Sequence, residues 1–106
     1  MKPIVFLGDT LEVIRDFPYG IRQAAGFQLD KVQRGLTPDD YKQLPVVGKG
    51  VQEIRIRDIS GTYRVIYIAR FENAVYVLHA FKKKTQRTPA LDLRLAKARM
   101  MQIIKR

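Results

Sequence analysis

The fold is decided by EIRIRDISGTYRVIY, residues 53–67. Its first part alternates strictly. Ile54 and Ile56 lie on one side, while Glu53, Arg55 and Arg57 lie on the other, which is the two-residue period of a β-strand with one buried face. DISG supplies turn chemistry, and TYRVIY then returns as a β-branched and aromatic run. The pattern predicts a hairpin with strands over 51–57 and 62–70. A third run, AVYVLHAF at 74–81, follows the FEN turn and extends the hairpin to a three-stranded antiparallel meander.

Upstream, PIVFL (3–7) reads as a short strand ended by Gly8. Asp9 and Glu12 then stand three apart like a capping box, opening a helix with Leu11, Ile14 and Phe17 on one side and Pro18 at its end. From about Tyr19 to Arg34, Ile21, Ala25, Leu29 and Val32 recur at helical spacing, and Gly35 sits where a C-terminal cap belongs. Residues 36–50, with two prolines and two glycines, read as a loop. Downstream, Thr88 as N-cap and Pro89 in the first turn start a last helix to about Ile104, with Leu93, Ala96, Met100 and Ile104 as its apolar stripe. The expected fold is therefore α+β, in the order β-α-α-β-β-β-α, as a single domain over 1–106. It has a small antiparallel sheet, an N-terminal helical hairpin and a C-terminal helix, with the helices on one face and the other face open.

Charge is unevenly spread along the chain. The 106 residues carry a formal +10; residues 1–50 hold 7 Lys/Arg against 6 Asp/Glu, and residues 51–106 hold 13 against 4, so the halves carry +1 and +9. Such a basic half suits an anionic partner. A membrane surface is the poorest candidate, because the charge falls on strands and a loop rather than on one face of an amphipathic helix. The absence of cysteine excludes disulfides, thiol catalysis and Cys-based zinc sites. With no signal peptide or long apolar run, a cytoplasmic protein is expected.

Arg55 and Arg57 project from the face opposite the isoleucines, and Arg64 comes within cross-strand reach if the hairpin register is short. HAFKKKTQRTP (79–89) adds Lys82, Lys83, Lys84 and Arg87 where the last strand ends. Guanidinium forks fit phosphate oxygens, and ammonium groups act beside them as point charges. Tyr41, Tyr63, Tyr67 and Tyr76 offer stacking planes for unpaired bases or, equally, core packing. His79, the only histidine, is either an acid/base or a hydrogen-bonded structural residue. No carboxylate cluster suggests a metal site, and neither metal nor cofactor is expected.

At EIRIRDISGTYRVIY and VYVLHAFKKKTQRTP the chain closely resembles the RelE/HigB superfamily of toxins from bacterial toxin-antitoxin systems, in particular its phage-protein-like HigB branch. The resemblance implies a ribosome-dependent mRNA endoribonuclease that inhibits translation and is neutralised by a cognate antitoxin, commonly of helix-turn-helix type. It places Arg55 and Arg57 among the basic sheet residues, matches Arg64 to the arginine of the YR strand motif, and puts Lys83 where a basic residue follows the last strand. Lys82, Lys84, His79 and a tyrosine are the candidates for proton transfer. The chain departs from the pattern at Pro89, where some relatives carry a functional tyrosine. A ParE-like, non-catalytic gyrase inhibitor and a non-toxic nucleic-acid-binding module are the alternatives.

Overall fold

The computed structural model describes residues 1–84 and 87–104. Thr85 and Gln86 of the basic stretch, and Lys105 near the end of the chain, lie outside the described residues. The elements are β1 (Ile4–Phe6), α1 (Thr10–Arg15), α2 (Tyr19–Gln33), β2 (Tyr41–Gln43), β3 (Val51–Asp58), β4 (Gly61–Ile68), β5 (Val75–Lys83) and α3 (Ala90–Ile104). This is the expected α+β order, with one short strand, β2, inside the segment read as a loop. The sheet runs β1-β5-β4-β3-β2, with the antiparallel meander at its centre. β1 is added in parallel beside β5, and β2 in antiparallel beside β3.

The hairpin register is the short one. Asp58 pairs with Gly61, Arg57 with Thr62 and Arg55 with Arg64 across a two-residue turn. Asp58 Oδ1 accepts from the Ser60 backbone N–H at 2.7 Å and from the Ser60 hydroxyl at 2.5 Å, and these bonds hold the Asp58 carboxyl below the usual carboxylate range.

The expectation that all helices share one face fails. α1 and α2 cover one side, where Ile14, Phe17, Ile21, Ala25, Leu29 and Val32 pack on Ile54, Ile56, Val65 and Val77. α3 covers the other, where Ala96 and Met100 meet Ile66, Ile68, Leu78 and Phe81. The reason lies in β4 and β5, which are apolar on both sides. A sheet covered on one side only would leave Ile66, Ile68 and Leu78 in water, at about 1.5–3 kcal/mol for each side chain.

A bulge shapes the same region. Ile66 pairs with His79 but Tyr67 pairs with Val77, which leaves Leu78 as an extra residue. Val75 and Val77 thereby join the α1/α2 side, and Tyr76 and Leu78 the α3 side, which simple alternation back from Lys83 would have reversed.

The two acid or hydroxyl caps read from the sequence are used elsewhere. Asp9 makes no side-chain cap bond to α1 and instead accepts from Arg99 Nη2 at 2.9 Å. The Thr88 hydroxyl donates to Glu53 at 3.0 Å, and Pro89 O accepts the first backbone bond of α3, from the Leu93 N–H. Both side chains tie helix starts to distant elements. Gly8, at φ 56°, allows the Arg99 guanidinium to approach so closely that a Cβ there would lie 2.5 Å from its Nε.

Candidate functional site

The end of the sheet near the β3–β4 hairpin, on the α3 side, is where the charged positions of three strands converge. Arg55 and Arg64 are direct cross-strand partners. Two like charges so placed repel, and each is matched to its own carboxylate. Arg55 donates from Nε at 2.9 Å and Nη2 at 2.7 Å to Asp40 Oδ1, with the Arg55 backbone N–H on Asp40 O at 2.9 Å. Arg64 donates from Nη1 to Glu53 Oε1 at 2.8 Å.

Arg64 is 5% exposed and Glu53 is 0% exposed, so this pair is shielded from water. The Nε–H of Arg64 is buried and has no hydrogen-bond partner. Burial lowers the Arg64 pKa, the Glu53 charge opposes that, and Arg55 and Arg57 lower it further by repulsion. Lys83 stands in the same field. Its pKa is lowered by partial burial and then by Arg64 and Lys42, with a restoring pull from Glu53 and a lesser lowering by Arg55. Lys42 on β2 completes the group, with Nζ 3.7 Å from Glu53 Oε1.

The structure thus brings together Arg64, Lys83, Arg55 and Arg57 of the residues singled out by sequence, with Arg57 exposed at the hairpin end. Lys84 and Arg87 are exposed on the segment that follows β5. Two candidates go to the other side of the sheet. β5 runs on to Lys83, so Lys82 and Lys83 belong to a strand rather than a loop and point to opposite faces. Lys82 Nζ lies 5.7 Å from the centroid of the Tyr63 ring. Tyr63 itself is 2% exposed, tilted against Phe17 at 4.9 Å, with its hydroxyl 2.7 Å from Ser60 Oγ. It is a core residue and offers no stacking plane. Tyr67 and Tyr76 are buried as well, and burial pushes the Tyr67 hydroxyl pKa up.

His79 is on the α3 side but is committed to packing. Nε2 is 2.5 Å from Asp92 Oδ1 and Nδ1 is 3.1 Å from Arg99 Nη1. Arginine can only donate, so Nδ1 accepts and the ring proton sits on Nε2 toward Asp92. Arg99 also donates to Leu78 O at 3.0 Å. The chain Asp92–His79–Arg99–Asp9 therefore ties α3 to β5 and to the start of α1. His79 lies four residues before Lys83 on the strand, about 13 Å away at the rise of a β-strand.

Four contributors escaped the sequence reading: Glu53, Asp40, Lys42 and Thr88. Glu53 carried a signal, being a lone carboxylate on the same strand face as two arginines. Lys42 and Thr88 carried none, because their positions depend on β2 pairing and on where α3 docks.

Among the described residues, no group of three or more His, Cys, Asp or Glu could hold a metal ion. No described helix is long and apolar enough to cross a membrane.

A meander between a helical hairpin and a C-terminal helix, with a buried arginine at a cationic sheet end, defines a small α+β protein. Residues 12–101 match the phage-derived protein Gp49-like family (DUF891), and the chain belongs to that family. It is a RelE/HigB-like toxin family, associated with toxin-antitoxin systems. No curated protein sequence matches the chain.

Proposed function

We propose that this protein is a HigB-type toxin that cleaves mRNA on the ribosome, with protein side chains carrying the chemistry, and that it is neutralised in the cytoplasm by a cognate antitoxin of helix-turn-helix type. One observation carries the reading: Arg64 is buried, held by Glu53 through Nη1, and has an unsatisfied Nε–H among Lys83, Lys42, Arg55 and Arg57. A buried donor without a partner costs about 1–3 kcal/mol, more when charged, and a phosphate oxygen would satisfy it once the side chains that cover it move aside.

In this mechanism the ribose 2'-hydroxyl loses its proton to water and attacks the adjacent phosphorus in line. The new 2'-O–P bond forms as the P–5'-O bond breaks, leaving a 2',3'-cyclic phosphate. Arg64 and Lys83 stabilise the charge that grows on the phosphorane. Lys83, with its lowered pKa, is also the better-placed proton donor to the departing 5'-oxygen. Arg55 and Arg57 guide the backbone, while the exposed Lys84 and Arg87 add attraction for the strand.

The test is Lys83→Ala. Growth arrest and mRNA cleavage should fall by ~10²-fold or more, the loss expected for one preorganised charge contact, with folding and antitoxin binding retained. Lys97→Ala, at an exposed position on α3, should do much less. Equal losses from both would refute a defined site and leave only a diffuse basic surface. Intact mRNA with inhibited DNA supercoiling would instead favour the ParE-like reading, which needs no basic sheet face.

A further inference from the structure

We infer that Glu53 is the positioning residue of this site: its buried carboxylate sets the orientation of the Arg64 guanidinium and fastens the segment leading into α3 to the sheet. The inference rests on the phosphate-site reading above and adds to it the group that organises the site.

Glu53 lies on β3 between β2 and β4, with no exposed surface. A carboxylate in such a place needs partners for both oxygens. Oε1 accepts from Arg64 Nη1 at 2.8 Å, with Lys42 Nζ at 3.7 Å, and Oε2 accepts from the Thr88 hydroxyl at 3.0 Å. Neither oxygen is turned to solvent, so Glu53 is not placed to take a proton from RNA. Its action passes through others.

For Arg64 the consequence is geometric. A long side chain with several rotatable bonds is reduced to one pose, in which Nη1 is occupied by Glu53 and the buried Nε–H is left without a partner. That ordering is complete before RNA arrives, which is the condition under which a charge contact contributes most to a transition state. For the chain, the Thr88 bond spans 35 residues of sequence. It holds the residue that follows the basic stretch against the same carboxylate that orients Arg64, so the two cationic segments share one anchor.

Glu53→Gln, Arg64→Gln and the double variant test this in single-turnover cleavage of ribosome-bound mRNA and in equilibrium binding of a short single-stranded RNA oligomer. Glutamine keeps the size of Glu53 and its hydrogen-bonding reach to Thr88, so the fold survives in a form that can be assayed. Glu53→Gln should lower the rate constant roughly 10- to 100-fold, the scale of a small misplacement of a reacting group, with KM near wild type. The double variant should be no slower than Arg64→Gln alone, because glutamine keeps the bond to Thr88 and removes only the action that passes through Arg64. Because the 2'-hydroxyl proton goes to water, any fall in rate toward low pH should be the same in Glu53→Gln as in wild type.

Independent, multiplying losses in the double variant would overturn the inference, as would loss of a low-pH fall in Glu53→Gln that wild type shows, which would make Glu53 the proton acceptor. If Lys83→Ala and Arg64→Gln keep wild-type rates and oligomer affinity, the phosphate-site reading fails and the positioning role falls with it. If those two lose activity and Glu53→Gln does not, only the positioning role falls.

Discussion

Replacing Arg64 by alanine should unfold the protein more readily as well as inactivate it. Arg64 and Glu53 are both buried, and their 2.8 Å contact is the closest that Glu53 makes to a cation. Without Arg64, the carboxylate retains only the Thr88 hydroxyl and the half-exposed Lys42 ammonium. Removing one partner of a buried pair costs about 3–5 kcal/mol, and the two surviving partners place this case near the lower end, at about 3 kcal/mol. For a domain of this size each kcal/mol moves the melting temperature by about 4–8 °C, so the expected fall is roughly 12–24 °C. In urea, with a slope of about 1–3 kcal/mol/M, the midpoint should drop by roughly 1–3 M. The double variant Glu53→Gln/Arg64→Gln should recover most of this, since no charge is left stranded. Circular dichroism melts and urea titrations of the three proteins decide the matter. A single Arg64→Ala variant within about 1 kcal/mol of wild type, or a double variant equally unstable, would refute the reasoning about a shielded ion pair.

Lys83 should oppose folding at neutral pH. Burial and neighbouring cations lower its pKa in the fold, so the folded state gives up this proton before the unfolded chain does, and stability rises as pH climbs through that alkaline window. Lys83→Met should therefore stabilise the protein at neutral pH, with a gain that shrinks toward pH 10.5; a gain independent of pH would contradict this. Gly26 sits on α2 with nothing within 4 Å of a Cβ, so Gly26→Ala should raise stability by about 0.5–1 kcal/mol in urea unfolding, and a loss would show that the helix needs the glycine. Asp92→Ala removes the partner of His79 Nε2 and should loosen α3, read as faster amide hydrogen exchange along Ala90–Ile104 with the β3–β4 hairpin unaffected. Unchanged exchange along α3 would mean that its apolar stripe alone holds it.

Much of the site was legible because strands impose a period of two. Arg55 and Arg57 could be placed opposite Ile54 and Ile56 from alternation alone, and a short turn at DISG was enough to bring Arg64 across from Arg55. The lysines were less legible. Three in a row leave open where the strand stops, and only its pairing as far as Thr62 with Lys83 sends Lys82 toward Tyr63 and Lys83 toward Arg64. Caps were misread for a related reason: Asp9 and Thr88 have the side chains that helix starts favour, but an oxygen that can cap a local N–H can equally accept from, or donate to, a group brought in from elsewhere.

Local chemistry in the sequence determined the types and order of the main elements and the sign of the sheet's charged end, since each follows from neighbours a few residues apart; the hairpin register and the short strand β2 came only with the pairing of the strands. The tertiary structure decided which face α3 covers, where the Leu78 bulge shifts the alternation of β5, and that Glu53 meets Thr88 across 35 residues. Those outcomes depend on burying apolar surface on both sides of one sheet and on finding partners for a carboxylate enclosed by it. No short window of sequence contains the atoms that satisfy either demand.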